Sequence, residues 1–245
     1  MDTLRVTARE ARAVVVVVVV VVVIVVFGGM SDDADLAQAL LARARRLAGR
    51  VVDDVDAVHG GMPGAHKGGV GQRIERALGL RPVFDDVDDP DSGVEVKTLP
   101  VKIGRNGPSV QEVTWVTSAT VERLIDETWA TSRVKKKLQH VLFVPIVVEG
   151  TASARIGAAF LWQPDLHEEA LLRADWEDLS DLVARGLGFA VTSKRGQALH
   201  LRPKARDAQQ VRHARAVDDD IVARPQGFYL RRAFTQALLV RHLTW

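Results

Sequence analysis

The chain has 245 residues, 47% hydrophobic and 26% charged, with 33 Lys and Arg against 31 Asp and Glu for a net charge of +2; this suits a folded globular protein of one large domain or two small lobes. It has no cysteine, which excludes a disulfide framework, thiolate metal ligands and a cysteine nucleophile. The near-neutral total conceals a segregation: residues 51–100 carry ten acidic and five basic side chains, residues 201–245 nine basic and four acidic, the pattern of a cation site followed by a surface for a polyanion.

Val14 to Phe27 is an unbroken run of 14 apolar residues, all valine except Ile24 and Phe27. It is shorter than the roughly 20 residues of a spanning helix, and Gly28-Gly29-Met30-Ser31-Asp32 is a poor cleavage site for a signal peptide. Residues 1–29 read as a low-complexity leader upstream of the true start at Met30, with a membrane anchor or an aggregation-prone β-segment as the alternatives. Ser31 is then the N-cap of a first helix, with Asp32, Asp33 and Asp35 in its first turn, Leu36, Leu40 and Leu47 on one face, and arginines toward its end.

Val51 to Gly71, rich in Gly, Asp and His, reads as a connection. Val70, Ile74 and Leu78 at i, i+4 and i+8 predict a short helix over Gly71 to Gly79. The acidic loop Asp85 to Asp91 leads into Val94 to Leu99, whose alternation predicts a half-buried strand, and Val113 to Thr117 follows the Gly104 to Pro108 turn as its expected hairpin partner. Val141 to Val148 is apolar enough for a central strand. Leu166 to Arg185 is an amphipathic helix, Phe189 to Thr192 and Leu199 to Arg202 are short strands, and Phe234 to His242 is a closing helix. Strands interleaved with helices predict an α/β or α+β domain with a mixed sheet.

On a strand, Glu95 and Lys97 emerge on the same face, opposite Val94 and Val96. Just upstream stand Asp85, Asp86, Asp88, Asp89 and Asp91, more carboxylates than a loop holds together without a cation or open solvent. Two carboxylates converging at a strand end form the oxygen-rich, open site that Mg²⁺ prefers, and a lysine beside them can orient or deprotonate a water. This is the chemistry of metal-assisted phosphodiester hydrolysis. None of the seven histidines has a zinc-ligand spacing, and there is no P-loop motif, so any nucleotide dependence must come from a partner.

The spacing of Asp88 and Glu95-x-Lys97 resembles the D…(D/E)-x-K core of restriction-endonuclease-like nucleases. More specific are Lys67-Gly68-Gly69-Val70-Gly71 before Glu75, Gly93 to Pro100, Thr128-Trp129 with Ser132 to Leu138, Leu201 to Ala205, and Gly227-Phe228-Tyr229-Leu230. In this order they resemble the MutH family of strand-nicking endonucleases of methyl-directed mismatch repair, from about residue 31 to the C-terminus. The resemblance implies a restriction-endonuclease-like α/β fold over residues 30–245, its two lobes forming a DNA cleft with the metal site between them.

It further implies that Glu75, Asp88 and Glu95 gather Mg²⁺, with Mn²⁺ able to substitute, that Lys97 is the catalytic lysine, and that Lys137 is a second active-site lysine near the phosphate. Asp86 and Asp89 are close competitors for the place of Asp88. For DNA, the resemblance points to Arg202, Pro203 and Tyr229 at the base edges of a GATC site with Lys204 nearby, to Trp115 as an aromatic approaching DNA, to Lys67 as a further DNA-binding residue, and to Lys136 on the backbone, Lys135-Lys136-Lys137 forming a phosphate clamp. An arginine fork suits guanine, and an aromatic hydroxyl can sense the adenine edge where a methyl group would sit. The implied activity is nicking of the unmethylated strand at hemimethylated GATC by a cytoplasmic monomer, activated by MutL after MutS has found a mismatch. A restriction enzyme cutting both strands at GATC and a DNA-binding homologue that no longer cuts are the alternatives.

Overall fold

The computed structural model describes residues 33–58, 69–81, 87–88, 90–91, 93–148, 154–188, 194–203, 212–215, 220–223 and 226–242. The valine run, the Ser31 cap and the expected strand Phe189 to Thr192 lie outside the described residues. So do Lys67, Lys204, Asp85, Asp86 and Asp89.

A first helix, α1 (33–46), is followed by α2 (Val52–Val58) and α3 (Gly69–Ala77). In α1 the buried face is Ala37, Leu40, Leu41 and Ala44, whereas Leu36 is 44% exposed. The 3.6-residue period centres the stripe one position beyond Leu36, which therefore points to water.

The next strands, β1 (Glu95–Gly104) and β2 (Gly107–Val110), form the hairpin, closed at Gly107 with φ +91°. This corrects the expected pairing: β3 (Thr114–Ala119) leaves that sheet and pairs elsewhere. The short α4 (Val121–Leu124), a 3-10 turn at Trp129–Thr131 and α5 (Arg133–Leu138) lead to β4 (Val141–Val147), which runs parallel to β1 over its whole length. Two short strands, β5 (Arg155–Ile156) and β6 (Phe160–Trp162), complete a five-stranded mixed sheet by pairing antiparallel with β4. Pro145 sits mid-strand, where the partner of β4 changes from β6 to β5, so its missing N–H falls at a break in the ladder.

Helix α6 (Leu166–Ala184) starts on a reciprocal cap between Asp165 and Glu168. Then come β7 (Leu199–Pro203), the isolated pair β8 (Arg212–Arg215) and β9 (Asp220–Ala223), β10 (Gln226–Leu230) and α7 (Arg232–His242). Strands β3, β10 and β7 form a second, antiparallel sheet in that order.

Successive side chains of a strand face opposite ways, and β4 uses both directions. Val141 and Phe143 join a cluster with Trp162, Trp176, Leu199, Leu201, Phe228 and Leu230, between the two sheets, while Leu142, Val144 and Ile146 pack against α1, α2 and α3. The same holds for β1, whose Leu99 and Val101 face the first cluster and whose Val94 and Val96 face the second. The half-buried strand expected at Val94 to Leu99 is thus buried on both faces. Its alternation of charged and apolar side chains marks a site on one face and not solvent.

Candidate active site

Glu95 and Lys97 share the β1 face of Leu99 and Val101, at the end of the strand where the inter-sheet core gives way to a cavity. Glu95 is only 2% exposed and Lys97 9%. A carboxylate this deep needs ionic partners, and it has two: Lys97 Nζ donates to Oε1, and Lys137 Nζ donates to Oε1 at 2.9 Å and Oε2 at 2.8 Å.

Lys137 reaches the site because α5 is held rigidly. Ser132 caps it, its Oγ accepting the Lys135 N–H at 3.1 Å and donating to the Trp129 carbonyl at 3.0 Å, while Val134 and Leu138 are buried beneath it. The run Lys135-Lys136-Lys137 therefore does not act as one clamp, because successive helical residues point about 100° apart. Lys137 enters the cavity, Lys136 is exposed, and Lys135 bridges to Glu169 at 2.9 Å beside the Trp129 ring.

Asp88 turns back onto β1, its Oδ2 accepting the Val96 N–H at 2.9 Å. Glu75, half-buried on α3 one position after the fully buried Ile74, approaches from the other side. The five residues expected to do the chemistry, Glu75, Asp88, Glu95, Lys97 and Lys137, line one open cavity of about 340 Å³ with Trp115, Thr117 and Ser118 of β3 and Arg133 of α5. Of these additions, Arg133 was legible in principle: it lies four residues before Lys137 and so on the same helix face.

Burial, followed by the nearby charges of Asp88 and Glu95, pushes the Glu75 carboxyl up to about 6. Burial and then Glu95 push Asp88 up as well, against the pull of Lys97 and the Val96 N–H. Carboxylates that resist ionising beside one another are relieved by a cation, and three hard oxygen donors on an open cavity suit a divalent ion of the magnesium type. Among the described residues no three His, Asp or Glu side chains stand close enough together to hold a metal ion as they are; Glu75, Asp88 and Glu95 fit such an ion in donor chemistry and line the same cavity.

The second sheet carries the other expected contacts. Phe228 and Leu230 turn into the core, so Tyr229 between them faces outward, flanked by His200 of β7 and Trp115 of β3. The three rings form a row: Trp115 meets Tyr229 edge-on at 5.1 Å, and His200 meets it at 6.2 Å. Arg202, exposed two residues beyond His200, holds its guanidinium 5.9 Å from the Tyr229 ring centre, and Pro203 follows it, also exposed. Burial raises the Tyr229 hydroxyl against the pull of Arg202, so at neutral pH the phenol keeps its proton and can donate it. Trp115 thus belongs to both regions, lining the cavity and meeting the tyrosine ring.

A family model described as DNA mismatch repair enzyme MutH matches residues 84–175, from the acidic loop to the middle of α6. The chain is 38% identical over 223 residues to the DNA mismatch repair protein MutH of Klebsiella pneumoniae strain 342, covering 87% of this chain and 95% of that protein. It is 36% identical over 214 residues to the protein of the same name from Serratia proteamaculans, covering 84% and 92%. With that from Salmonella newport it shares 38% over 213 residues, covering 83% and 90%.

Proposed function

The chain belongs to the MutH family of DNA mismatch repair enzymes and has its restriction-endonuclease-like fold, and from that premise we propose that it is a Mg²⁺-dependent endonuclease that nicks the unmethylated strand at hemimethylated GATC. The observation that carries the reading is the convergence of three carboxylates and two lysines from β1, α3, α5 and the Asp88 loop on one cavity. A pure DNA-binding module needs cations for phosphate and has no use for a carboxylate cluster.

Glu75, Asp88 and Glu95 would hold the metal. When bound, a divalent ion neutralises charge developing on the scissile phosphate and lowers the pKa of an attacking water. Lys97, packed against Glu95, would orient the attacking water through Nζ, and would accept its proton there when in the neutral amine form. Lys137, on a helix braced by Ser132, presents its ammonium to the phosphate. Across the second sheet, Arg202 pairs with a guanine edge and Tyr229 senses adenine, where a methyl group would displace its hydroxyl. Lys136 contacts backbone phosphate, and Lys67, Lys204 and Pro203 complete the DNA surface.

Residues 30–245 form the nuclease, as a cytoplasmic monomer, with residues 1–29 as a leader. MutL, acting after MutS, is its activator, which suits a chain without a P-loop. Among the described residues no helix is long and apolar enough to cross a membrane.

The test is cleavage, in Mg²⁺, of plasmids carrying unmethylated, hemimethylated and fully methylated GATC. Nicks on the unmethylated strand, with the fully methylated plasmid resistant, are the expected result. Double-strand cutting would identify a restriction enzyme, and binding without cleavage an inactive homologue. Glu95→Ala and Glu75→Ala should bind DNA and not cut it, and Lys97→Ala should lose about 10²–10⁴ in rate while keeping its affinity.

A further inference from the structure

The cleavage cavity contains a cation to which this reading assigns no task. Arg133 is the first residue of α5, half-buried, and lines the same cavity as Glu75, Asp88, Glu95, Lys97 and Lys137. It stands four residues before Lys137, so the two side chains lie on one face of the helix, displaced along its axis by one turn, about 6 Å. The backbone beneath both is held, since Ser132 caps the helix and the adjoining face, Val134 and Leu138, is 1% exposed at each position.

The lysines already assigned both donate to Glu95. Arg133 differs from them in its place in the cavity wall and in chemistry. It stands on the wall made by α5 and the β3 residues Thr117 and Ser118 of this open cavity. Behind it, the Glu127 carboxylate accepts the Arg133 backbone N–H, with Arg123 and the Arg133 guanidinium lending it positive charge. The backbone of Arg133 is thereby anchored. A guanidinium stays charged at every pH of interest and offers a planar fork that matches phosphate oxygens two at a time, which an ammonium cannot do.

The geometry points to Arg133 as a substrate contact: it grips the DNA phosphate next to the one at which Lys137 stands, so that α5 holds two successive phosphates of the cut strand across the metal site. This rests on the nuclease reading above and adds the residue that sets the strand's register in the cleft. A contact to phosphate is blind to sequence, so it should affect GATC and unrelated duplexes alike.

The experiment measures equilibrium binding of a GATC duplex and an unrelated duplex to the full chain, without divalent metal, across a range of salt, for the wild type, Arg133→Ala, Arg133→Gln, Arg133→Lys and Glu127→Gln. Arg133→Ala and Arg133→Gln should each weaken both duplexes by about tenfold, the worth of one charged hydrogen bond, and flatten the slope of log affinity against log salt by about one. Arg133→Lys should restore the slope but only part of the affinity. Glu127→Gln should leave the slope unchanged. Either neutral variant, folded by circular dichroism, with wild-type slope and affinity would overturn the proposal, and so would Glu127→Gln reproducing the loss, which would make Arg133 a brace for the Thr128 to Ser132 segment. Because binding is read without cleavage, failure of the wild type to nick GATC would count against the nuclease reading and leave the result for Arg133 standing by itself.

Discussion

Glu75 shows how a site residue trades stability for chemistry. Its carboxyl sits at about 6, raised from an ordinary 4.5 by burial and by Asp88 and Glu95. A carboxyl raised in the fold favours folding while protonated, below its unfolded value, and loses that contribution as pH rises through 6. The full shift would correspond to about 2 kcal/mol, reduced by solvent access at this half-buried position to roughly 0.5–1 kcal/mol. Glu75→Gln should therefore raise the melting temperature of the metal-free protein by about 1–4 °C at pH 8 and have little effect near pH 4.5, while abolishing cleavage. Melting curves in EDTA at the two pH values check this; equal melting points at pH 8 would reject it. A second residue-scale case is Gly227. A Cβ there would lie 2.0 Å from the Trp115 ring, so the six-membered ring of the indole occupies the space that a side chain would take. Gly227→Ala should cost about 1–3 kcal/mol through overpacking and displace the Trp115 edge that touches Tyr229, read as altered near-ultraviolet dichroism together with a weaker preference for GATC. An unchanged aromatic spectrum would show that the ring has room elsewhere.

Among the elements, β7 depends most on a single side chain. Asp175 of α6, 7% exposed, accepts backbone N–H bonds from Gln197 at 2.9 and 2.8 Å, Ala198 at 2.6 Å and Leu199 at 2.8 Å. Gly196, with φ +84° and no space for a Cβ beneath the Leu199 carbonyl, makes the turn that aims these donors. Asp175 thus fixes where β7 begins and so which residues face outward beside Tyr229. Asp175→Ala leaves three backbone donors, two of them buried, without their acceptor and should destabilise the protein by about 3 kcal/mol, measurable by urea unfolding; a loss under 1 kcal/mol would mean that the turn holds itself. The Asp175 contacts lie outside what a sequence can display, because Asp175 and Leu199 are far apart along the chain. The extents of β4 and α6, by contrast, were readable from apolar runs and periodicity to within a residue, since those elements answer to local patterns, whereas α7 starts at Arg232, two residues before the expected Phe234. The hairpin expected between β1 and the strand at Val113 failed for the same reason in reverse: proximity in sequence suggested a pairing that β10 takes instead.

At the scale of the molecule, the groups proposed to cleave and those proposed to read DNA sit on adjoining surfaces that share Trp115. The cavity is lined by residues of β1, α3, β3 and α5, and the row of Trp115, Tyr229 and His200 lies across β3, β10 and β7. Mutations should therefore separate. Arg202→Ala should relax preference for GATC over altered sites by about 1–3 kcal/mol with little change in rate at saturating DNA. Tyr229→Phe should narrow the difference between unmethylated and methylated sites. Competition cleavage of mixed duplexes measures both; equal losses on GATC and random DNA would move Arg202 to the phosphate contacts, and an unchanged methylation ratio would remove Tyr229 as the sensor.

By itself the sequence determined the chemical inventory, the class of fold and the family. Glu95-x-Lys97 on a strand, a carboxylate on the preceding helix and the motif order are properties of local spacing, and spacing is what a linear chain records. Which groups meet was decided only by the tertiary structure: Lys137 coming 42 positions along the chain to both oxygens of Glu95, Asp88 turning onto Val96, Lys135 leaving the site for Glu169, and Arg133 joining the cavity. The cause is the burial of β1 on both faces. Once Val94 and Val96 pack beneath the helices, Glu95 and Lys97 are carried into the gap between the sheets, and the low solvent content there makes each neighbouring charge count.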